Sequence, residues 1–194
     1  LVKVTLELPT GTALEETRAQ LDDLFRLEWL ASATNVVLIG PNGVGKTMIA
    51  KNLAYQAVLG GSSAVLYTAS ELLNTLADQS TSQSLHRKLA AVCRPQLLVL
   101  DELGYLSYDS RHADLLFEVV SRRYQMLRPI LLTTNKPFAQ WADVFPNATS
   151  VVTLVDRLVH RCELLHVEAD SYRLKVSREN ARLRAQQRAK RAKP

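Results

Sequence analysis

Residues 35 to 47, Asn-Val-Val-Leu-Ile-Gly-Pro-Asn-Gly-Val-Gly-Lys-Thr, leave few folds open to this chain. Val36 to Ile39 is an apolar, β-branched run with the composition of a strand buried on both faces. It leads into Gly40-Pro41-Asn42-Gly43-Val44-Gly45-Lys46-Thr47, which fits the phosphate-loop pattern G-x-x-x-x-G-K-[ST] at every fixed position. Gly40, Gly43 and Gly45 free the backbone to turn its N–H groups toward phosphate oxygens, and the same N–H groups open a helix whose dipole favours anions. In that pattern Lys46 reaches the β- and γ-phosphates and the Thr47 hydroxyl ligates Mg²⁺. The competing reading is a glycine-rich turn that binds nothing. A strand before the loop and an apolar stripe after it (Ile49, Ala50, Leu53, Ala54, Ala57, Val58) argue against that reading.

Two later stretches repeat the logic of a strand ending in polar groups. Leu97 to Leu100 is a buried strand running into Asp101-Glu102, the pattern of an acid that holds Mg²⁺ followed by one that orients or deprotonates a water. Ile130 to Asn135 is another strand finishing on polar side chains. Asn135 is placed either to hydrogen-bond a water or γ-phosphate or to cap a helix beginning near Pro137. Ala64 to Tyr67 and Leu164 to Val167 complete five strands, alternating with helices over 71–76, 85–92, 113–124 and 151–162. Such alternation predicts a parallel α/β sheet, with ligands at the C-terminal ends of its strands, where Gly40, Asp101 and Asn135 fall.

Upstream, Leu1 to Leu8 alternates like a half-buried edge strand. Thr12-Ala-Leu-Glu15 then reads as a capping box before a stripe of Leu14, Leu21, Leu24, Phe25 and Leu30. Gly60-Gly61 is a helix stop. Phe138, Trp141, Ala142 and Phe145 give the inner face of a short helix, and Val151, Leu154, Val155, Leu158 and Cys162 that of the next. Arg157 and Arg161, four apart, are either a solvated face or aimed at an anion.

The chain of 194 residues suits one domain, with no apolar run near the roughly 20 residues that span a bilayer. Cys93 and Cys162 have no paired or ligand spacing, and no signal peptide is visible, so a cytoplasmic protein is expected. The four histidines form no ligand cluster. Because the sequence opens on Leu1 rather than Met, an upstream segment is expected. The net charge of +5 is uneven: from Ser171 on there are nine basic residues against Glu179 alone, +8, leaving −3 elsewhere. A mildly acidic body with a basic tail over 178–194 points to a polyanionic partner.

Over residues 21 to 177 the sequence resembles the AAA+ ATPases of the branch containing the helicase loader DnaC and the transposition helper IstB, and is most similar to IstB. The resemblance rests on Leu100-Asp-Glu-Leu-Gly-Tyr-Leu106, Ser121-Arg-Arg-Tyr124, Thr134-Asn-Lys-Pro-Phe-Ala-Gln-Trp141, Asp156-Arg-Leu-Val-His160 and Asp170-Ser-Tyr-Arg-Leu174, besides the phosphate loop. It implies an ATP- and Mg²⁺-dependent AAA+ core over 1–177, a five-stranded parallel sheet without a C-terminal lid domain. It further implies a DNA-binding homo-oligomer that assists a transposase, or, in the alternative, loads a replicative helicase. By position it gives Lys46 and Thr47 to nucleotide and metal, Asp101 and Glu102 to the second phosphate-loop motif, and Asn135 to the first sensor. Arg157 matches an arginine finger acting on a neighbour's ATP, Arg161 keeps the solvated reading, and Arg173 matches a second sensor. Residues 71 to 92 stand where the branch carries a DNA-facing helix, whereas the helical N-terminal domain of the family is missing or truncated. A small-molecule kinase is the competing enzyme class, disfavoured by the lack of a lid or acceptor pocket.

Overall fold

The computed structural model describes residues 12–105, 108–145 and 149–167. The five strands are β1 (Asn35–Ile39), β2 (Ala64–Thr68), β3 (Leu97–Leu103), β4 (Ile130–Thr134) and β5 (Cys162–His166). All pair in parallel, in the order β2-β3-β4-β1-β5. The alternation of strand side chains divides the core in two. Val36, Leu38, Leu97, Val99 and Leu131 face one side, while Val37, Ile39, Leu98, Leu100, Ile130 and Leu132 face the other. Helices cover both sides, so the central strands are apolar throughout, as the sequence pattern requires.

The first side is covered by α1 (Thr12–Phe25), α2 (Glu28–Ala31) and α3 (Lys46–Leu59). α3 buries Ile49, Ala50, Leu53 and Ala57, each side chain as large as Leu contributing about 1.5–3 kcal/mol. Val58, expected inside, is half exposed because the helix touches the sheet only along the line through Leu53 and Ala57. Gly61, at φ 87°, ends it in a Schellman turn: Ser62 N–H donates to Ala57 O at 2.9 Å and Gly61 N–H to Val58 O at 3.0 Å. Leu27, in the left-handed region at φ 62°, breaks the expected stripe after Phe25, which is itself exposed. Trp29 of α2 is buried instead, its indole N–H donating to Leu24 O at 2.8 Å.

The second side carries α4 (Ala69–Ala77), α5 (Ser82–Cys93), α6 (Ser110–Gln125), α7 (Trp141–Val144) and α8 (Val151–Val159). Thr68, Thr81 and Asp109 cap α4, α5 and α6, each accepting the backbone N–H three residues on. Residues 138–140 form a 3₁₀ turn ahead of α7, and this change of period turns Val144 inward and Ala142 out, reversing the expectation for Ala142. α8 also differs: it ends at Val159, and Cys162 opens β5 rather than closing the helix. Asn35 sets that end from outside, its amide donating to Leu158 O at 2.9 Å while its backbone N–H donates to Arg161 O at 2.8 Å. Arg161 consequently lies past the helix, and no longer shares a face with Arg157. The strand expected over 1–8 and the tail over 178–194 lie outside the described residues.

Candidate nucleotide site

At the C-terminal end of β1 the chain turns through Gly40 to Gly45 into α3, with Gly43 and Gly45 at φ 85° and 100°, closed to most side chains. Gly40 is needed for space instead, since a Cβ there would lie 2.2 Å from Val167 O, the backbone just beyond β5. Pro41 and Asn42 are exposed on the loop's crest, and Val44 anchors it in the core. Lys46 is 4% exposed, and its Nζ donates to Gly40 O at 2.7 Å and Pro41 O at 2.8 Å, so its charge is held under the loop.

The second phosphate-loop motif meets the first. Thr47 Oγ1 donates to Asp101 Oδ1 at 3.0 Å, and Thr133 Oγ1 donates to the same oxygen at 2.5 Å. Thr133 Oγ1 in turn accepts the Glu102 N–H at 2.9 Å. β3 is longer than expected and carries a bulge here, Asp101 and Glu102 standing opposite Thr133 alone between the pairs Leu100–Leu132 and Leu103–Thr134. Glu102 sits at φ 63°, a conformation costing a non-glycine residue roughly 1–3 kcal/mol and found disproportionately at functional sites. Thr133 is the residue that sequence reasoning missed, because a threonine in a strand is ordinary and only the bulge reveals its task.

Asn135 follows β4 in the same crevice. Its amide does not cap the following turn, whose N-terminal residue Pro137 has no side-chain cap; Thr134 Oγ1 takes the local Lys136 N–H instead, at 3.1 Å. Asn135 Oδ1 is buried without a hydrogen-bond partner among the described residues, beside Gly104, an atom left for a ligand to satisfy. The buried ammonium, the glycine cradle, the Thr47–Asp101 pair and this amide oxygen fit a nucleoside triphosphate with a divalent cation on Thr47 and Asp101. Among the described residues no group of three or more His, Cys, Asp or Glu could hold a metal by itself.

Arg157 is elsewhere. It shares a small cleft with Asn35 and Ile130, the first residues of β1 and β4, at the end of the sheet opposite Lys46. Its guanidinium donates to Ser121 Oγ and lies 4.7 Å above the centre of the Phe117 ring. Ser121 Oγ itself donates to Phe117 O at 2.5 Å. Arg173 lies outside the described residues.

A five-stranded parallel sheet of this order, closed by helices on both faces and carrying a phosphate loop and its acidic partner, defines a phosphate-loop ATPase of AAA+ type. The chain belongs to the family of IstB-like ATP binding proteins, whose model matches residues 11–180. It is 32% identical over 174 residues to an ATP-binding protein of insertion sequence IS5376 from Geobacillus stearothermophilus, covering 90% of this chain and 68% of that one. To the IS21 ATP-binding protein of Pseudomonas aeruginosa it is 35% identical over 161 residues, 83% of this chain and 60% of the other. The chain thus spans about two thirds or less of the relatives it matches. Among solved structures, the DnaC helicase loader superposes with TM-score 0.65 at 19% identity, over 82% of this chain and 93% of that one. DnaI does so with TM-score 0.66 at 19% identity, over 86% and 87%. Both show the same fold. No helix among the described residues is long and apolar enough to cross a membrane.

Proposed function

We propose that this chain is the ATPase core of a transposition helper: it binds ATP with Mg²⁺, assembles with copies of itself on duplex DNA, and assists a transposase in the same insertion element. Family membership and relatives drawn from insertion sequences support this reading over that of a helicase loader, whose resemblance is one of fold. In the proposed site Lys46 holds the β- and γ-phosphates, Thr47 and Asp101 hold the cation, and the bulge aims Glu102 at the attacking water, with Asn135 Oδ1 fixing that water's other side. Mg²⁺ on Thr47 and Asp101 would offset the charge of the terminal phosphates. Arg173 is proposed as a second contact to the nucleotide. Duplex binding is supported by the basic tail and by exposed His86, Arg87 and Arg94 on and just beyond α5, and is expected to be electrostatic and salt-sensitive.

The observation that carries the oligomeric part is the separation of Arg157 from Lys46. Four strand steps of about 3.3 Å each lie between Asn35, in the cleft of Arg157, and Ile39, which precedes the loop. In this reading Arg157 is too far from its own chain's Lys46 to serve that site, and serves the ATP of a neighbour. Arg157→Ala is expected to bind ATP normally and hydrolyse it roughly 10³-fold more slowly, and Lys46→Ala to fail at binding. Mixed in equal amounts on duplex DNA, the two inactive proteins are expected to recover part of the activity. Recovery arises where a Lys46→Ala subunit lends Arg157 to an Arg157→Ala subunit. If crosslinking of differently tagged chains proves mixing and no hydrolysis returns, Arg157 has no catalytic part. A requirement for single-stranded DNA in place of duplex would favour the loader reading.

A further inference from the structure

The cleft that contains Arg157 holds three more arginines, Arg123, Arg128 and Arg161, and no acid among the described residues lines it. None of the four has a carboxylate partner among the described residues, where the ion pairs are Arg26–Asp23, His112–Asp109 and Arg122–Glu118. Arg123 is wholly buried and spends its hydrogen bonds on backbone carbonyls; Arg128 keeps a buried Nη1 with no acceptor among the described residues. Guanidinium groups crowded together raise one another's energy, and an anion placed among them removes the repulsion and supplies the missing acceptor. Burial, with Arg128 adding a smaller push, already lowers the Arg123 pKa to about 10.

We propose that this cleft is a phosphate-binding site for the ATP of an adjacent copy of the chain, in which Arg128 and Arg161 contact the triphosphate together with Arg157. The proposal rests on the trans reading of Arg157 and adds two residues to it. Three features favour a nucleotide delivered by another copy over a nucleic-acid backbone. The cleft is small, about 100 Å³, and is walled by Val120 and Ile130. Its rim is apolar, Tyr124 and Leu127 in the cleft itself being exposed by 41% and 62%, and Val159 stands out 43% exposed on the last turn of α8. Such a rim suits contact with protein, whereas surfaces that take nucleic acid are polar and basic. At the opposite end of the sheet, Met48 is 47% exposed immediately after Lys46 and Thr47, an apolar counterpart beside the site that would deliver the phosphates. A head-to-tail arrangement brings these two ends together, and repeats indefinitely or closes into a ring.

Arg161 is exposed at the mouth of the cleft, so its replacement leaves the core intact. Arg161→Ala and Arg128→Ala are each expected to lower kcat for ATP hydrolysis on duplex DNA by roughly 10-fold or more, as loss of one positioned donor does, with equilibrium binding of a fluorescent ATP analogue unchanged. Each variant mixed with Lys46→Ala is expected to regain activity above the sum of the two alone. Arg157→Ala mixed with Lys46→Ala is the control for the underlying reading. If the control recovers and neither new mixture does, with the melting temperature of Arg161→Ala unchanged, the cleft proposal is overturned while Arg157 keeps its role. If the control also fails, both fall. A loss of affinity for duplex DNA at fixed salt, with the ATPase rate intact, would make the cleft a DNA site and overturn the proposal equally. Should Arg128→Ala fail to fold, Arg161→Ala decides alone.

Discussion

The two ends of the sheet use buried charge in opposite ways. At the C-terminal end, Asp101 accepts from the Thr47 and Thr133 hydroxyls, Thr133 accepts the Glu102 N–H, and beside them Lys46 Nζ is held by Gly40 O and Pro41 O, all within 2.5–3.0 Å. At the N-terminal end, arginines predominate and their bonds go to backbone carbonyls or to a hydroxyl. The first arrangement mixes cations and anions, and holds its geometry before any ligand arrives, which is what a binding site for a highly charged substrate needs. The second has arginines without a carboxylate partner among the described residues, which an anion from elsewhere would supply. A single chain therefore carries one end suited to hold a triphosphate and another suited to be presented with one.

The largest expected effects separate binding from chemistry at the first end. Lys46→Ala removes the buried ammonium proposed to hold the phosphates, and is expected to weaken nucleotide binding by about 100-fold or more. Glu102→Gln keeps the bulge and the Thr133 bond, which use only its backbone, and is expected to leave affinity within a few-fold while slowing hydrolysis by about 10²-fold or more. Binding by titration and turnover by phosphate release, made on both variants, check the division. A Glu102→Gln protein that hydrolyses ATP at the normal rate would return the water-activating role to another group.

The two ends also differed in how far they could be read in advance. The phosphate loop is contiguous, its spacing is dictated by backbone geometry, and Lys46, Thr47 and Asp101 could be named from local pattern; the fold brings Asp101 to Thr47, next to Lys46. The buried strands were visible as apolar runs, though not their order or the bulge that lengthens β3, since pairing partners leave no local mark. The arginine end is assembled from α6, α8 and the starts of β1 and β4, far apart in sequence. Nothing local separates Arg123 from its neighbour Arg122, yet Arg123 is fully buried while Arg122 pairs with Glu118 at 2.7 Å nearer the surface. Nor did any local signal show that Asn35 ends α8, or that Ser121 and Phe117 hold Arg157. Those are tertiary facts, decided by which carbonyls and rings the fold leaves nearby.

Arg123 gives the second test, of stability rather than activity. Its two terminal nitrogens donate to Cys93 O, Pro95 O, Gln96 O and Pro129 O at 2.7–3.2 Å, collecting carbonyls left over where α5 ends and where β3 and β4 begin. Arg123→Met fills similar space but leaves these acceptors unpaired, and the expected loss is roughly 3 kcal/mol or more. For a domain of this size that corresponds to a melting temperature lower by about 10 °C. Arg161→Ala, at the mouth of the same cleft, is expected to melt with the parent. Equal melting temperatures for Arg123→Met and the parent would mean that the buried guanidinium costs as much to desolvate as its four bonds return.

The smallest effect is confined to acid and tests a local electrostatic contact at the start of α6. Asp109 caps α6, and its carboxyl is held below the ordinary value of 3.8, chiefly by the hydrogen bond it accepts from His112 N–H at 2.9 Å, helped by the His112 ring at 2.5 Å. A lowered pKa in the folded state means the ionised form is the one that stabilises. Its contribution is then fully present above the unfolded value near 3.8, and is lost as the pH falls through the lower folded value. Asp109→Asn keeps a side chain able to cap but cannot ionise. The difference in melting temperature between parent and Asp109→Asn is therefore expected to shift against the parent as the solution is taken from about pH 5 through pH 4 toward 3. Because the carboxylate is fully solvated, water and salt screen it, and the shift is expected to be small beside that of Arg123→Met and smaller again in high salt. A difference that stays flat to pH 3 would show that the cap works by hydrogen-bond geometry alone, with charge contributing nothing.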